Sequence, residues 1–272
     1  MKKVGIVVPS YNQGRFLKTC LDSLLAQKGV EVQIALMDGG STDETKDILA
    51  CYASSCRYVR SRLDEGQSAA INEGMLHLSQ CEYVGWLNSD DALAPEGLAQ
   101  LAAALEQDPQ ASAAYGEAQF WDAENEIIGK YPTRPFDRLA LAKGCFICQP
   151  ATLIRREAWE TLQGLREQLH MCMDYDLWWR LLKLGPLLYV PKIVAFSRDY
   201  AATKTRSYPL RHVLEAQALL EEHNGNVPWN WFLEEVVWHW KVQHQRRPDR
   251  YEKLKLLWKT GLRWLYYRRH GL

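Results

Sequence analysis

Carboxylates stand at two places in this 272-residue chain where an apolar run ends. Met37-Asp38-Gly39-Gly40-Ser41-Thr42-Asp43 closes the run from Val32, and Asn88-Ser89-Asp90-Asp91 follows Tyr83 to Leu87. Each run reads as a buried strand, and the carboxyl ends of parallel strands are where an open α/β sheet gathers a ligand. The second motif sets two carboxylates side by side, which suits a hard divalent cation bound to phosphate oxygens. Together the motifs suggest a nucleotide, a metal and a group to be transferred.

Three further stretches could contribute. Pro9-Ser10-Tyr11-Asn12 ends the first strand, and its small and amide side chains can approach a base or ribose. An ordinary strand-to-helix turn with Asn12 as a cap reads equally from these residues. Asp38 can accept from a base N–H or a ribose hydroxyl, and Gly39-Gly40 removes side chains where a ligand would pass. Asp64 through Gln67 to Asn72 opens a helix whose free amides could hold sugar or phosphate; a plain cap at Ser68 is the alternative. Met173-Asp174-Tyr175-Asp176 opens another helix. A helix-start carboxylate facing a pocket can take a proton from a hydroxyl, although both aspartates also suit the positive helix end as first-turn charges.

The elements that would carry these residues alternate. Strands are expected at Lys3 to Pro9, Val32 to Met37, Tyr58 to Ser61 and Tyr83 to Leu87, with helices at Gly14 to Gln27, from about Ser41 to Tyr52, and at Ser68 to Ser79. Ser41 or Thr42 is expected to cap the second helix. This βα alternation implies a mostly parallel sheet with right-handed crossovers. Then come a helix from Pro95 to Gln107 and a strand pair turning at Asp122 to Asn125. After them lie a strand at Ala151 to Arg155, helices at Glu157 to Gln163 and Asp174 to Leu184, and a strand at Leu187 to Ser197 broken by Pro191. From about Tyr208 the chain reads as wholly helical, with breaks at Asn224-Gly225-Asn226 and Arg247-Pro248.

Bulk properties fit this plan. Hydrophobic residues make up 47% and charged residues 24%, enough for a core and against disorder. Lys plus Arg (33) equals Asp plus Glu (33), so whole-chain charge favours no partner. Seven irregularly spaced cysteines and a start without a leader pattern point to reduced thiols in the cytoplasm. Cys145 and Cys148 have CxxC spacing, but no second pair or neighbouring histidine completes a zinc site. No apolar run reaches the roughly 18 residues that a membrane span needs.

In order along the chain, Val7 to Asn12, Asp38 to Asp43, Gly66-Gln67-Ser68 through Ile71-Asn72-Glu73-Gly74, Leu87 to Asp91 and Asp174 to Trp178 resemble family 2 glycosyltransferases of the GT-A fold. The likeness is to the bacterial subgroup that builds surface polysaccharides, and it covers roughly residues 3 to 205. It implies a GT-A domain over 1–205 and a helical extension over 206–272. It implies an inverting transfer from a nucleotide-sugar donor, a UDP-sugar first, to a hydroxyl of a glycan or lipid-linked acceptor, with Mn2+ or Mg2+. On that resemblance Pro9, Tyr11, Asn12, Asp38, Asp64, Gln67, Asn72, Asn88, Ser89 and Asp90 would bind the donor. Asp91 would hold the metal and Asp174 would be the base, with Gln149, Asp176 and Arg198 on the acceptor side. Three positions depart from the family pattern. Asn88 replaces a frequent aspartate, Met173 a frequent glutamate, and Arg198-Asp199-Tyr200 is followed by Thr203 and Thr205 without a histidine.

Two other readings compete. A nucleotidyltransferase would carry a glycine-rich basic loop after the first strand, which Pro9 to Asn12 is not. A non-catalytic nucleotide-sugar binding subunit is the main alternative outside the enzymes, and keeping both Asp91 and Asp174 argues against it. Between Arg246 and Leu272, nine Lys or Arg residues stand against two carboxylates, Asp249 and Glu252. Tyr251, Leu254, Trp258, Leu262 and Leu265 recur there at helical spacing. That pattern suits a helix on the cytoplasmic face of an anionic membrane, and equally a helix packed on the protein with a solvated basic face. Nucleic acid is not an expected partner, since the rest of the chain is not basic.

Overall fold

A computed structural model describes residues 1–201, 203–246 and 248–271. The chain forms two compact units. The first is Met1–Phe136 with Phe146–Tyr200; the second is Asp137–Cys145 with Ala201–Leu272.

The first unit begins with β1 (Lys2–Ser10), α1 (Gly14–Leu25), β2 (Val30–Asp38), α2 (Thr45–Tyr52), β3 (Tyr58–Ser61), α3 (Gln67–Leu76) and β4 (Tyr83–Trp86). It continues through β5 (Ala92–Leu93), α4 (Gly97–Gln107), β6 (Ala113–Trp121) and β7 (Ile127–Lys130). The short α5 (Arg138–Lys143) belongs to the second unit. Then follow β8 (Thr152–Arg155), α6 (Arg156–Thr161), α7 (Met173–Leu181) and β9 (Leu187–Arg198). The strands make one sheet in the order β3-β2-β1-β4-β8-β6-β9-β5, with β7 paired to β6.

The expected parallel arrangement holds for β3, β2, β1 and β4. Beyond β4 the sheet is mixed: β8 runs antiparallel to both β4 and β6, β9 runs parallel to β6, and β5 is antiparallel to β9. The parallel strands read as continuous apolar runs because both faces are covered; Val4 to Ser10 is buried without a break. α1 covers one face with Phe16, Leu17, Cys20, Leu21 and Leu24. α3 covers the other at close range. A Cβ on Gly74 would fall 2.6 Å from Val7 Cγ1, so only glycine lets α3 lie this near β1.

The chain leaves β1 toward β2 on one side, and β4 returns on the other. The loops after β1 and β4 therefore diverge, which opens a crevice at the carboxyl ends of the strands. Every acidic motif singled out in the first half of the sequence ends on this edge.

Several local expectations shift. α2 starts at Thr45, and Asp43 rather than Ser41 or Thr42 satisfies its amide: Thr45 N donates to Asp43 Oδ1 at 3.1 Å. α3 starts at Gln67 behind Gly66, so Ser68 lies inside the helix. The Pro191 break is a register shift between β6 and β9, with Gly116 opposite Val190 and Glu117 opposite Ile193. The turn at Asp122 to Asn125 forms as expected, with Asn125 at positive φ.

α7 is buried along nearly its whole length. Asp176 is wholly buried and receives Arg180 Nε at 2.6 Å, with Arg166 Nη1 at 3.4 Å. Arg180 also donates to the carbonyls of Leu162 and Gly164. Asn72 on α3 then brackets Leu165, accepting from its N–H and donating to its carbonyl at 2.9 Å each. The start of α7 is thus bolted through the 162–166 loop to α3. Asp176, expected on the acceptor side, and Asn72, expected to bind the donor, both take part in this anchor.

The second unit holds α5, α8 (Lys204–Ser207), α9 (Pro209–Asn224), α10 (Trp229–His244) and α11 (Arg250–His270). The expected break at Asn224 to Asn226 appears as Gly225 in the left-handed region. Of the second expected break, Arg247 lies outside the described residues, and Asp249 and Glu252 form a capping box at the start of α11. Trp231 Nε1 donates to Ala142 O on α5 at 2.9 Å, and Gln217 on α9 donates to Glu235 on α10 at 3.0 Å.

Replacing Asp176 by alanine strands a buried guanidinium. Removing one partner of such a pair costs about 3–5 kcal/mol. Chemical denaturation should show Asp176→Ala destabilised by that amount; a loss below about 1 kcal/mol would contradict the anchoring role.

Candidate active site

At the end of β2, Asp38 is completely buried. Its Oδ1 accepts from Ser41 Oγ at 2.5 Å and its Oδ2 from Ser61 Oγ at 2.6 Å, with the amides of Gly40 and Ser41 at 3.2–3.3 Å. The carboxylate, expected to bind the donor, shapes the β2 turn through these hydrogen bonds. Ser41 Oγ accepts in turn from Asn12 N at 2.8 Å, and Asn12 Oδ1 accepts from Thr42 N at 2.9 Å. Asn12 sits at φ +52 and stitches the loop after β1 to the loop after β2.

The exposed groups at this edge are others. Tyr11 is 62% exposed. A Cβ on Gly39 would lie 3.3 Å from both Tyr11 Cδ2 and Asp64 Oδ2. Gly39 is itself buried, and its missing Cβ lets this aromatic ring and this carboxylate close over the β2 turn. Arg60 holds Asp64 in place, with Nη1 and Nη2 each 3.2 Å from Oδ2. Pro9 is buried beneath this edge.

After β4, the two aspartates differ. Asp91 is 5% exposed, and both its oxygens have protein donors: Oδ1 accepts from Arg198 N at 2.8 Å and Oδ2 from Asn88 Nδ2 at 3.2 Å. Burial and the neighbouring Asp90 push its carboxyl well above the usual carboxylate range. Asp90 is only partly buried, and Tyr200 Oη lies 3.3 Å from its Oδ2. Burial raises its carboxyl as well. Ser89 is buried, and Asn88 Oδ1 accepts from Gln67 Nε2 at 2.8 Å.

Arg198, expected on the acceptor side, braces this edge. Its Nε donates to Asp90 O at 2.7 Å, Nη1 donates to Asp122 O, and Nη2 donates to Asn125 Oδ1 at 2.6 Å. Its guanidinium stacks 4.2 Å from the Phe16 ring centre. Tyr200 was not foreseen as a site residue. It contacts Gln13, 187 positions away in sequence, and no local pattern announces such a pairing.

Asp174 lies in the first turn of α7, partly buried, with Oδ1 accepting from Tyr175 N at 2.8 Å. Ser68 Oγ lies 2.9 Å from the Met173 sulfur. Gln67 and Ser68 at the start of α3 thus join the β4 edge, through Asn88, to the start of α7. Below them Gln149 donates to Trp86 O at 2.7 Å, and Trp86 stacks on Trp178. Among the described residues, Gln149 Oε1, Trp86 Nε1 and Trp178 Nε1 have no protein hydrogen-bond partner.

Comparison with known proteins follows this geometry. The model for Glycosyl transferase family 2 matches residues 5–162. The chain is 27% identical over 192 residues to a chondroitin synthase of Escherichia coli, covering 70% of this chain and 28% of that protein. It is 24% identical over 192 residues to a hyaluronan synthase of Pasteurella multocida, covering 70% of this chain and 20% of that one. The chain thus spans under a third of the length of these curated relatives. Among solved structures, S. aureus TarS 1-349 in complex with UDP-GlcNAc superposes with TM-score 0.63 at 18% identity, over 87% of this chain and 71% of that one. Mannosyltransferase PcManGT from Pyrobaculum calidifontis in complex with GDP-Man and Mn2+ gives TM-score 0.63 at 15% identity, over 99% and 76%. The fold is that of the GT-A glycosyltransferases, and the chain belongs to glycosyl transferase family 2.

Proposed function

We propose that this chain is an inverting glycosyltransferase. It would move a sugar from a nucleotide-sugar donor, a UDP-sugar first, to a hydroxyl of a glycan or lipid-linked acceptor in cell-surface polysaccharide synthesis. The observation that carries this is one edge joining three features: the exposed Tyr11 ring beside Asp64, the partly open Asp90 and the helix-start Asp174. Synthases of two surface polysaccharides among the relatives, and nucleotide-sugar complexes among the structural neighbours, support the reading.

The exposed Tyr11 ring suits stacking on a flat base, with the Asp64 carboxylate beside it as acceptor for a base N–H. Asn88, Gln67 and the α3 amides suit the ribose and diphosphate. Among the described residues no three His, Cys, Asp or Glu side chains gather as a closed metal cage. One carboxylate completed by diphosphate oxygens and water is a normal way to hold Mg2+, and Asp90 is the carboxylate with room for it. Asp91, on which the sequence placed the metal, already has both oxygens occupied. A divalent cation at Asp90 would supply charge neutralisation for the departing diphosphate.

Asp174 takes the proton from the acceptor hydroxyl as that oxygen forms its bond to the anomeric carbon. The bond from the anomeric carbon to the diphosphate oxygen breaks on the opposite face, and the nucleoside diphosphate carries away the electron pair. The first-turn amides of α7 favour the charged carboxylate at this position. Attack from the opposite face inverts the anomeric configuration.

Asp174→Asn should keep donor affinity and lower turnover by about 10²–10⁴-fold, the range general-base catalysis supplies. Near-normal turnover in steady-state assays would remove Asp174 from the mechanism. Asp90→Ala should cost at least tenfold in donor affinity with Mn2+ present and little in EDTA, measured by calorimetry. An equal loss in both conditions would deny Asp90 the metal.

A further inference from the structure

The second unit leaves one face of α11 uncovered. Leu256, Thr260 and Tyr267 are buried. Tyr267 packs on Phe232 of α10 with ring centres 5.1 Å apart, and its hydroxyl accepts from Val227 N and donates to Glu221. Arg263 pairs with Glu235 of α10 at 2.5 Å. These contacts fall on one side of the helix at spacings of three and four residues.

The opposite side carries Tyr251, Leu254, Trp258, Leu262 and Leu265, again three or four residues apart. Their exposures are 66%, 59%, 71%, 49% and 59%. Such a continuous apolar stripe, with two aromatic rings in it, is costly in water. With 3.6 residues per turn, Lys255 and Lys259 flank the stripe on one side, and Arg250 and Arg268 on the other. All four are exposed. The one carboxylate within the helix, Glu252, is tied to Arg246 and the capping box at its start.

An apolar stripe bordered by cations on both sides matches a surface of anionic headgroups over acyl chains. The chain's described helices include none long and apolar enough to cross a membrane. We infer that α11 is an interfacial helix that lies in the surface of an anionic bilayer, with Trp258 and Leu262 inserted and Lys255, Lys259, Arg250 and Arg268 on the headgroups. A second copy of this chain is a poorer occupant, because self-association across this face would bring the two rows of cations together.

Flotation of the full chain tests this with two vesicle compositions, pure phosphatidylcholine and a three-to-one mixture of phosphatidylcholine and phosphatidylglycerol. Binding to the mixed vesicles should exceed binding to the neutral ones by at least about tenfold and should fall with salt. The double variant Trp258→Glu, Leu262→Glu should lose it, and Lys255→Glu, Lys259→Glu should weaken it by about tenfold or more. All four positions are exposed, so an unchanged circular-dichroism melt shows that folding is kept. Equal flotation of parent and variants overturns the inference. So does a dimer in sedimentation that the Trp258 variant abolishes while vesicles bind neither protein. The readout is lipid binding, independent of glycosyl transfer.

Discussion

The candidate site depends on one buried guanidinium. Arg198 ends β9, yet its backbone amide and side chain reach Asp91, the carbonyls of Asp90 and Asp122, and Asn125. It thereby ties the loop after β4 to the turn between β6 and β7 and to the end of the last strand. A buried arginine is tolerable only when its donors are met, and here each of the three side-chain nitrogens donates to an oxygen, one on the acidic edge and two in the turn between β6 and β7. The cation also offsets the adjacent carboxylates: burial raises both of them, and the charge of Asp90 raises Asp91 further. Without this brace the Asp90-Asp91 pair would be two crowded charges on a free loop.

The brace divides the labour within the motif. Asp91 turns inward and is spent on structure; Asp90 keeps an open side. The same division occurs after β2, where Asp38 is sealed by two hydroxyls and two amides while Tyr11 and Asp64 stay exposed. At α7 it recurs once more: Asp176 is locked by Arg180 and Arg166, and Asp174 one turn-position earlier stays partly open. In each motif one carboxylate fixes the loop and a neighbouring polar group stays at least partly open.

This division also explains what the sequence could and could not reveal. The βα alternation and the three acidic motifs were legible, because buried parallel strands and amphipathic helices carry strong periodic signals. Which aspartate of each pair faces outward was not legible. Asp38, Asp91 and Asp176 look like ligand groups by type and place, and their partners (Ser61, Arg198 and Arg166) lie distant in sequence or in loops without pattern. The mixed half of the sheet was obscured for a related reason: β5 is two residues long, too short for periodicity to register, and the four residues of β8 mark a strand but not its antiparallel direction. Gly74 and Gly39 matter through close approaches that only three-dimensional packing creates.

The central claim is that the edge formed by β1, β2 and β4 binds a nucleoside diphosphate with a divalent cation. Thermal unfolding with UDP or GDP, each with Mn2+ or with EDTA, addresses it most directly, since a ligand that binds only the folded chain raises the melting temperature by mass action. The account predicts a rise with one of the two nucleotides that requires Mn2+ and disappears in Asp90→Ala. No rise with either nucleotide in Mn2+, or the same rise in EDTA, would contradict it.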